Sequence, residues 1–183
     1  FFSVSGDAPG AEFFYRKALG RLPGSAPVLY GHALALERLG RAREARADYE
    51  RAAAADRGYL PAAAALGAFL LEEGKLDEAE RRLDAAYRGG ERSTRLLLAR
   101  ARLFDEKGDV NRALAAYREA LLMAARDTRV LRAVAQFYVR HGEASSALSL
   151  YTTAAEADPD DPVIAREMAA LLERLGRVTA ALD

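Results

Sequence analysis

Glycine recurs at Gly6, Gly40, Gly74, Gly108, Gly142 and Gly176, each 34 residues after the last. A period of that length means that the chain is built from small similar units, none able to bury its own apolar face alone, so they must stack on one another. Five residues after each glycine stands an alanine: Ala11, Ala45, Ala79, Ala113, Ala147 and Ala181. Four further on comes a large residue, Tyr15, Tyr49, Leu83, Tyr117 or Tyr151, and three beyond that another alanine, Ala18, Ala52, Ala86, Ala120 or Ala154. Steps of four and three keep all of these on one helical face. Glycine just past a helix end takes up left-handed backbone at little cost. The pattern therefore predicts a helix, a turn at the glycine, and a second helix whose alanines admit a close neighbour while the Tyr or Leu fills the gap. Upstream of each glycine the first helix carries matching apolar pairs: Leu29 and Leu36, Leu66 and Leu70, Leu97 and Phe104, Leu131 and Tyr138, Met168 and Leu172.

With the unit set to start at Ala26, four complete copies follow without insertion or deletion: 26–59, 60–93, 94–127 and 128–161. Residues 1–25 supply the end of a first helix and a whole second helix closing at Pro23, and residues 162–183 supply a first helix and the beginning of a second. This arrangement resembles the tetratricopeptide repeat. That 34-residue unit has a large, a small and an aromatic residue on its first helix, then Ala, aromatic, Ala and often Pro on and after its second. The resemblance implies an all-α, right-handed α-solenoid of stacked antiparallel helix hairpins, one array over 1–183. It also has departures. The family's Trp is replaced by Leu29, Ala63, Leu97, Leu131 and Ala165, and only Gly67 keeps the first-helix glycine, where the other copies have Ala33, Ala101, Ala135 and Ala169. Arg100 takes a place held elsewhere by His32, Leu66, Val134 and Met168, where its stem is expected to pack and its guanidinium to reach outward.

Composition narrows the function classes. The chain has 27 basic and 27 acidic residues and no cysteine. Its net charge recruits neither nucleic acid nor an anionic membrane, and disulfides, thiolate metal sites and thiol nucleophiles are excluded. The longest uncharged apolar stretch, Tyr59 to Leu71, is thirteen residues interrupted by Pro61, against the ~20 that a membrane span needs. No basic segment followed by an apolar run opens the sequence, so no signal peptide is visible. Only three basic residues are lysine, Lys17, Lys75 and Lys107. The arginine and alanine bias suggests a GC-rich, bacterial genome and leaves cytoplasm and periplasm equally open.

Candidate chemistry is sparse. His32 and His141 are the only histidines, the first on a packing face and the second at a helix C-terminus, where the dipole favours it. The run Asp158-Pro159-Asp160-Asp161-Pro162 lacks the spacing of a calcium loop and reads better as a repeat junction in which Asp161 caps a helix opened by Pro162. Ser25, Ser93 or Thr94, and Asp127 or Thr128 stand at the equivalent junctions. Gly89-Gly90, the one glycine pair, ends a helix and makes no phosphate loop. No catalytic residue, metal site or cofactor is therefore expected.

The resemblance implies instead that first helices line a concave groove that receives a partner. On the present register its candidate contacts are Tyr30, Leu34, Leu71, Arg95, Arg102, Arg129, Arg132, Gln136 and Arg166. The arginines suit an acidic protein segment and the apolar residues its hydrophobic side chains. Arg132 and Gln136 sit one turn apart, as two residues of the family's carboxylate clamp would, but Glu167 stands where the adjoining repeat should offer asparagine. A chaperone adaptor is accordingly disfavoured. The expected role is an interaction scaffold for a protein or peptide, or a docking subunit of a larger complex, with no nucleic acid and no membrane insertion. Self-association and a recruiting arm of a larger enzyme are the alternatives.

Overall fold

A computed structural model describes the chain from Asp7 to Ala180, and its side chains as far as Gly176. Gly6, Ala181 and the expected end of a first helix within residues 1–6 lie outside the described residues. The helices are α1 (Ala8–Leu19), α2 (Ala26–Arg38), α3 (Ala42–Ala55), α4 (Leu60–Glu72), α5 (Leu76–Arg88), α6 (Thr94–Glu106), α7 (Val110–Met123), α8 (Thr128–Arg140), α9 (Ala144–Ala157) and α10 (Pro162–Ala180). No strand occurs among the described residues. The chain divides into two compact units between Leu103 and Phe104, within α6.

The turns between first and second helices fall on the glycines themselves. Gly40 has φ +72°, a left-handed conformation that costs an L side chain about 1–2 kcal/mol and glycine nothing. It lets the Gly40 N–H reach the Glu37 carbonyl and the Arg41 N–H reach back to the Leu36 carbonyl, both at 2.9 Å. These are the two bonds that satisfy carbonyls left over at a helix end. Lys75 to Leu70, Asp109 to Phe104, and Glu143 to Tyr138 repeat the longer bond at the next three turns. At the junctions between repeats, Asp161 accepts from the N–H groups of Val163 and Ile164, Asp127 from Arg129, and Ser93 Oγ from Leu96. The expected cap at Ser25 is not made by its side chain; Pro27 in the first turn already removes one of the donors that a cap would satisfy.

In unit 1, α2 packs on α3 and α4 on α5, while α1 lies against α2 and α3 against α4. Ala45, Ala52, Ala79, Ala86, Tyr49 and Leu83 are wholly buried, as the repeat register requires. One core cluster gathers Ala33, Leu36, Ala45, Tyr49, Ala65 and Leu66; beside it Ala26, Leu29, Ala52 and Ala62 form another. A Cβ added to Gly67 would meet Leu83 Cδ2 at 2.6 Å, which gives this first-helix glycine a packing reason. Arg100 does not reach outward: it donates to Asp84 and its guanidinium lies 3.8 Å from the Tyr87 ring centroid. The planar cation gains more over an aromatic face, with a carboxylate at hand, than its stem would alone.

In unit 2, α8 packs on α9, α10 on α9, and α7 on α8. The core gathers Leu131, Ala135, Ala147, Tyr151, Ala154, Ile164 and Leu171. Here one expectation fails. Gly176, the last of the glycine series, makes no turn; α10 runs through it as a single helix to Ala180. Among the described residues nothing covers the stripe that a second helix would bury: Leu172 is 46% exposed and Ala169 is exposed.

Candidate functional site

The nine groove candidates separate into two groups, one in each unit, and they differ in how tightly their own neighbours hold them. In unit 1 the side chains lie on α2, α4 and α6. Arg95, in the first turn of α6, spans the narrow, alanine-rich α4 to reach Glu37 near the end of α2. Its Nη2 donates to Glu37 Oε2 at 2.6 Å and its Nη1 to Oε1 at 3.2 Å. Tyr49 OH donates to the same Oε2 at 2.7 Å, and the Arg95 guanidinium lies 5.8 Å from the Tyr49 ring. Burial would lower the pKa of Arg95, but the bonds to Glu37, with the field of Tyr49, hold it above the ordinary guanidinium range. Burial pushes the Tyr49 phenol well up, and Glu37 adds to this.

Tyr30 is half-buried between the rings of Tyr49 and Tyr59, at centroid distances of 5.4 and 5.6 Å. Leu34 is half-buried against the Ala33, Leu36 and Tyr49 cluster. Leu71 is only 3% exposed: its side chain is taken up by the packing of its own unit, where the sequence placed it on the open groove. Arg102 is exposed on α6.

Unit 2 is looser. Glu167 of α10 accepts from Gln136 Nε2 at 2.9 Å, while Arg132 comes no nearer than 3.9 Å to its other oxygen. Burial raises the Tyr151 phenol to about 12, with the nearby Glu167 carboxylate adding to it. Between α8, α9 and α10 opens a cavity of about 360 Å³, lined by the apolar Val139, Ala170 and Leu171, by Tyr151, and by the polar Gln136, Arg140, Glu167 and Arg174. Arg129 is 74% exposed and turns to the carboxylate of its own helix cap, Asp127. That bond, opposed by partial burial, holds Asp127 below the usual carboxylate range. Arg166, at the position of α10 equivalent to Arg132 of α8, is exposed and has no ion-pair partner among the described residues. The sequence thus places Arg132, Gln136 and Glu167 together correctly, but Glu167 does more than interrupt a clamp: it consumes Gln136.

Both histidines are held by carboxylates. His32 Nδ1 lies 2.5 Å from Asp48 Oδ2, and its Nε2 faces Glu12 Oε1 at 3.7 Å. Arg16 and Arg41 approach Glu12, and Arg51 approaches Asp48. This cluster ties α1, α2 and α3 together and includes no nucleophile. His141 is fixed by Asp105 at 2.6 Å and by the Phe137 ring at 4.5 Å, contacts that its place at a helix end did not foretell. Among the described residues no group of His, Asp and Glu is arranged to hold a metal ion, and no helix is long and apolar enough to cross a membrane.

Hairpins turned by left-handed glycines, closed by buried alanines and bearing a polar first-helix face define a helical-repeat binding protein. Comparison with known proteins gives that class its name. The tetratricopeptide-repeat family matches residues 69–129, 98–162 and 133–183, and a second group of the same repeat matches 26–59. The chain belongs to the tetratricopeptide-repeat family. Among solved structures it is similar to a thermophilic tetratricopeptide-repeat protein of Thermus thermophilus, with 26% identity, 91% of each chain covered and a TM-score of 0.75. It also resembles YrrB, a repeat protein with an unusual peptide-binding site, at 18% identity and a TM-score of 0.56, covering 88% of this chain and 84% of that one. The human IFIT1 dimer with PPP-AAAA shares the fold at 18% identity and a TM-score of 0.79, over 95% of this chain and 43% of that one. No curated protein matches the chain in sequence. The fold is that of a protein-interaction scaffold, and repeat proteins of this family are in general non-catalytic.

Proposed function

We propose that the chain holds a partner protein through an acidic segment laid on the first-helix face of unit 2, with Arg132 and Arg166 meeting carboxylates and the neighbouring cavity receiving an apolar side chain. The observation that carries this reading is the slack around Arg132. Its one carboxylate neighbour among the described residues stands at 3.9 Å and is already engaged by Gln136. Arginine forks bind carboxylates in bidentate geometry, and Arg132 and Arg166 repeat at the 34-residue period on successive first helices. An exposed pair contributes only about 0.2–1 kcal/mol, so the apolar wall of Val139, Leu171 and Tyr151 must supply much of the affinity. A peptide-binding site in YrrB is consistent with protein partners for such a face. The chain has no catalytic role in this reading.

The test is calorimetric titration with a glutamate-rich peptide carrying one central leucine or phenylalanine, against wild type and the double variant Arg132→Glu, Arg166→Glu. The reading expects binding that weakens as salt rises from about 0.05 to 0.5 M, and loss of at least tenfold in affinity in the folded double variant. Equal affinity for wild type and variant, or preference for a lysine-rich peptide or an oligonucleotide over the acidic peptide, would overturn it.

A further inference from the structure

Unit 1 presents the same kind of arginine in the opposite condition. Arg95 and Glu37 stand on first helices two hairpins apart, α6 and α2, 58 positions distant in sequence. Stacked repeats ordinarily touch only their neighbours, and this bond skips one. It is possible because α4, between them, presents small residues such as Ala64 and Ala68. The pair is not sealed in a core, since the side chains remain 30% and 26% exposed. Both oxygens of Glu37 are engaged by the guanidinium in the two-pronged manner in which an arginine takes a ligand carboxylate, and Tyr49 OH supplies a third donor to the same carboxylate.

We infer that Arg95, with Tyr49 OH, forms a second carboxylate-binding subsite, and that Glu37 occupies it from within the chain as a built-in competitor for the acidic residue of a partner. The inference rests on the reading that first-helix faces take carboxylates, and extends it from unit 2 to unit 1. The chemistry is a plain exchange of one carboxylate for another, with Arg95 and Tyr49 keeping their donors aimed at the same place. Tethering makes that exchange unequal. A group held by a short connection acts at an effective concentration on the order of millimolar or above, so an incoming carboxylate at micromolar concentration does not displace Glu37. The subsite opens only to a partner anchored elsewhere on the chain, or when Glu37 is replaced by an uncharged residue. A merely structural bridge predicts something different: loss of stability on removing Glu37 and no gain in binding.

The experiment measures affinity for an acetylated oligoglutamate peptide in a background carrying Arg132→Gln and Arg166→Gln, which silences unit 2. In that background Glu37→Gln keeps the side-chain volume and an acceptor for Tyr49 OH while removing the competing charge. The expected result is a gain of tenfold or more over the parent, abolished when Arg95→Gln is added. No gain from Glu37→Gln, or a gain that persists without Arg95, overturns the inference. If Glu37→Gln fails to fold, Glu37→Asp, which withdraws the carboxylate by one methylene, is expected to give a smaller gain, and its absence is equally fatal. Failure of the unit 2 reading would show separately, as an unchanged affinity between wild type and the Arg132, Arg166 parent.

Discussion

Tyr49 joins the repeat register to the polar bridge, so its truncation separates two contributions. The residue is 0% exposed, its ring lies 5.4 Å from Tyr30 and 6.0 Å from Phe69, and its hydroxyl donates to Glu37 at 2.7 Å. Replacing Tyr49 by Ala removes the ring from between α2, α3 and α4. Truncating a buried aromatic residue costs ~3–5 kcal/mol, from lost transfer free energy and the cavity left behind. Tyr49→Phe keeps the ring and removes only the bond. A hydrogen bond to a charged acceptor contributes ~1.5–3 kcal/mol when well buried, but Glu37 is a quarter exposed and retains Arg95, which brings the expectation to about 1 kcal/mol. The two variants should therefore differ by ~2–4 kcal/mol. Since a domain has only ~5–15 kcal/mol in all, Tyr49→Ala should unfold at visibly lower urea concentration. The assay is urea denaturation followed by circular dichroism, with the slope checked for constancy among variants. A loss below about 1 kcal/mol for Tyr49→Ala would mean that the ring does not fill the space between hairpins, and the alanine and tyrosine register would then be misread.

Gly108 has φ +77° with open space around its missing Cβ, so Gly108→Ala should cost about 1–2 kcal/mol through backbone strain alone, and Gly108→Asn less, as read by thermal melting. At Gly67 the obstacle is packing: a Cβ would lie 2.6 and 2.7 Å from carbons of the wholly buried Leu83. Overpacking of about 1–3 kcal/mol outweighs the ~1 kcal/mol helical advantage of alanine, so Gly67→Ala should destabilise, and any stabilisation would refute the contact. Asp161→Ala, which removes the acceptor for two N–H groups of α10, should cost about 1 kcal/mol in the same melts. Tyr151 has its phenol raised from 10.0 to about 12. A value raised on folding gives stability that is complete below the unfolded value and lost as pH rises through the folded one. Stability should thus decline between about pH 10 and 12, and Tyr151→Phe should decline less over that range.

The hairpins were legible because each repeated residue answers a local steric demand. Glycine is needed where the chain must turn left-handed, and alanine where helices meet closely, so 34-residue spacing alone located the turns and the buried faces. The Glu37–Arg95 bridge was not legible in this way. It depends on two long side chains meeting across an intervening helix, and nothing in the period links positions 58 apart. Leu71 shows the converse: its register puts it on the groove face, yet it is only 3% exposed, because the repeat fixes a residue's face and not how closely the neighbouring helices cover it. Gly176 keeps its place in the series but not its turn: glycine permits the left-handed conformation without imposing it, and it is equally admitted inside a helix. Arg132, Gln136 and Glu167 were found together because they sit at equivalent or adjoining positions of successive first helices, the one kind of neighbourhood that a repeat makes visible.

Hydrogen exchange followed by mass spectrometry, with and without the glutamate-rich peptide, tests most directly that a partner segment is held on the first-helix face of unit 2. Added protection is predicted in α8 and α10, over residues 128–140 and 162–176, and it should vanish in the Arg132→Glu, Arg166→Glu variant. Protection confined to the second helices α7 and α9, or equal protection in wild type and variant, would contradict the account.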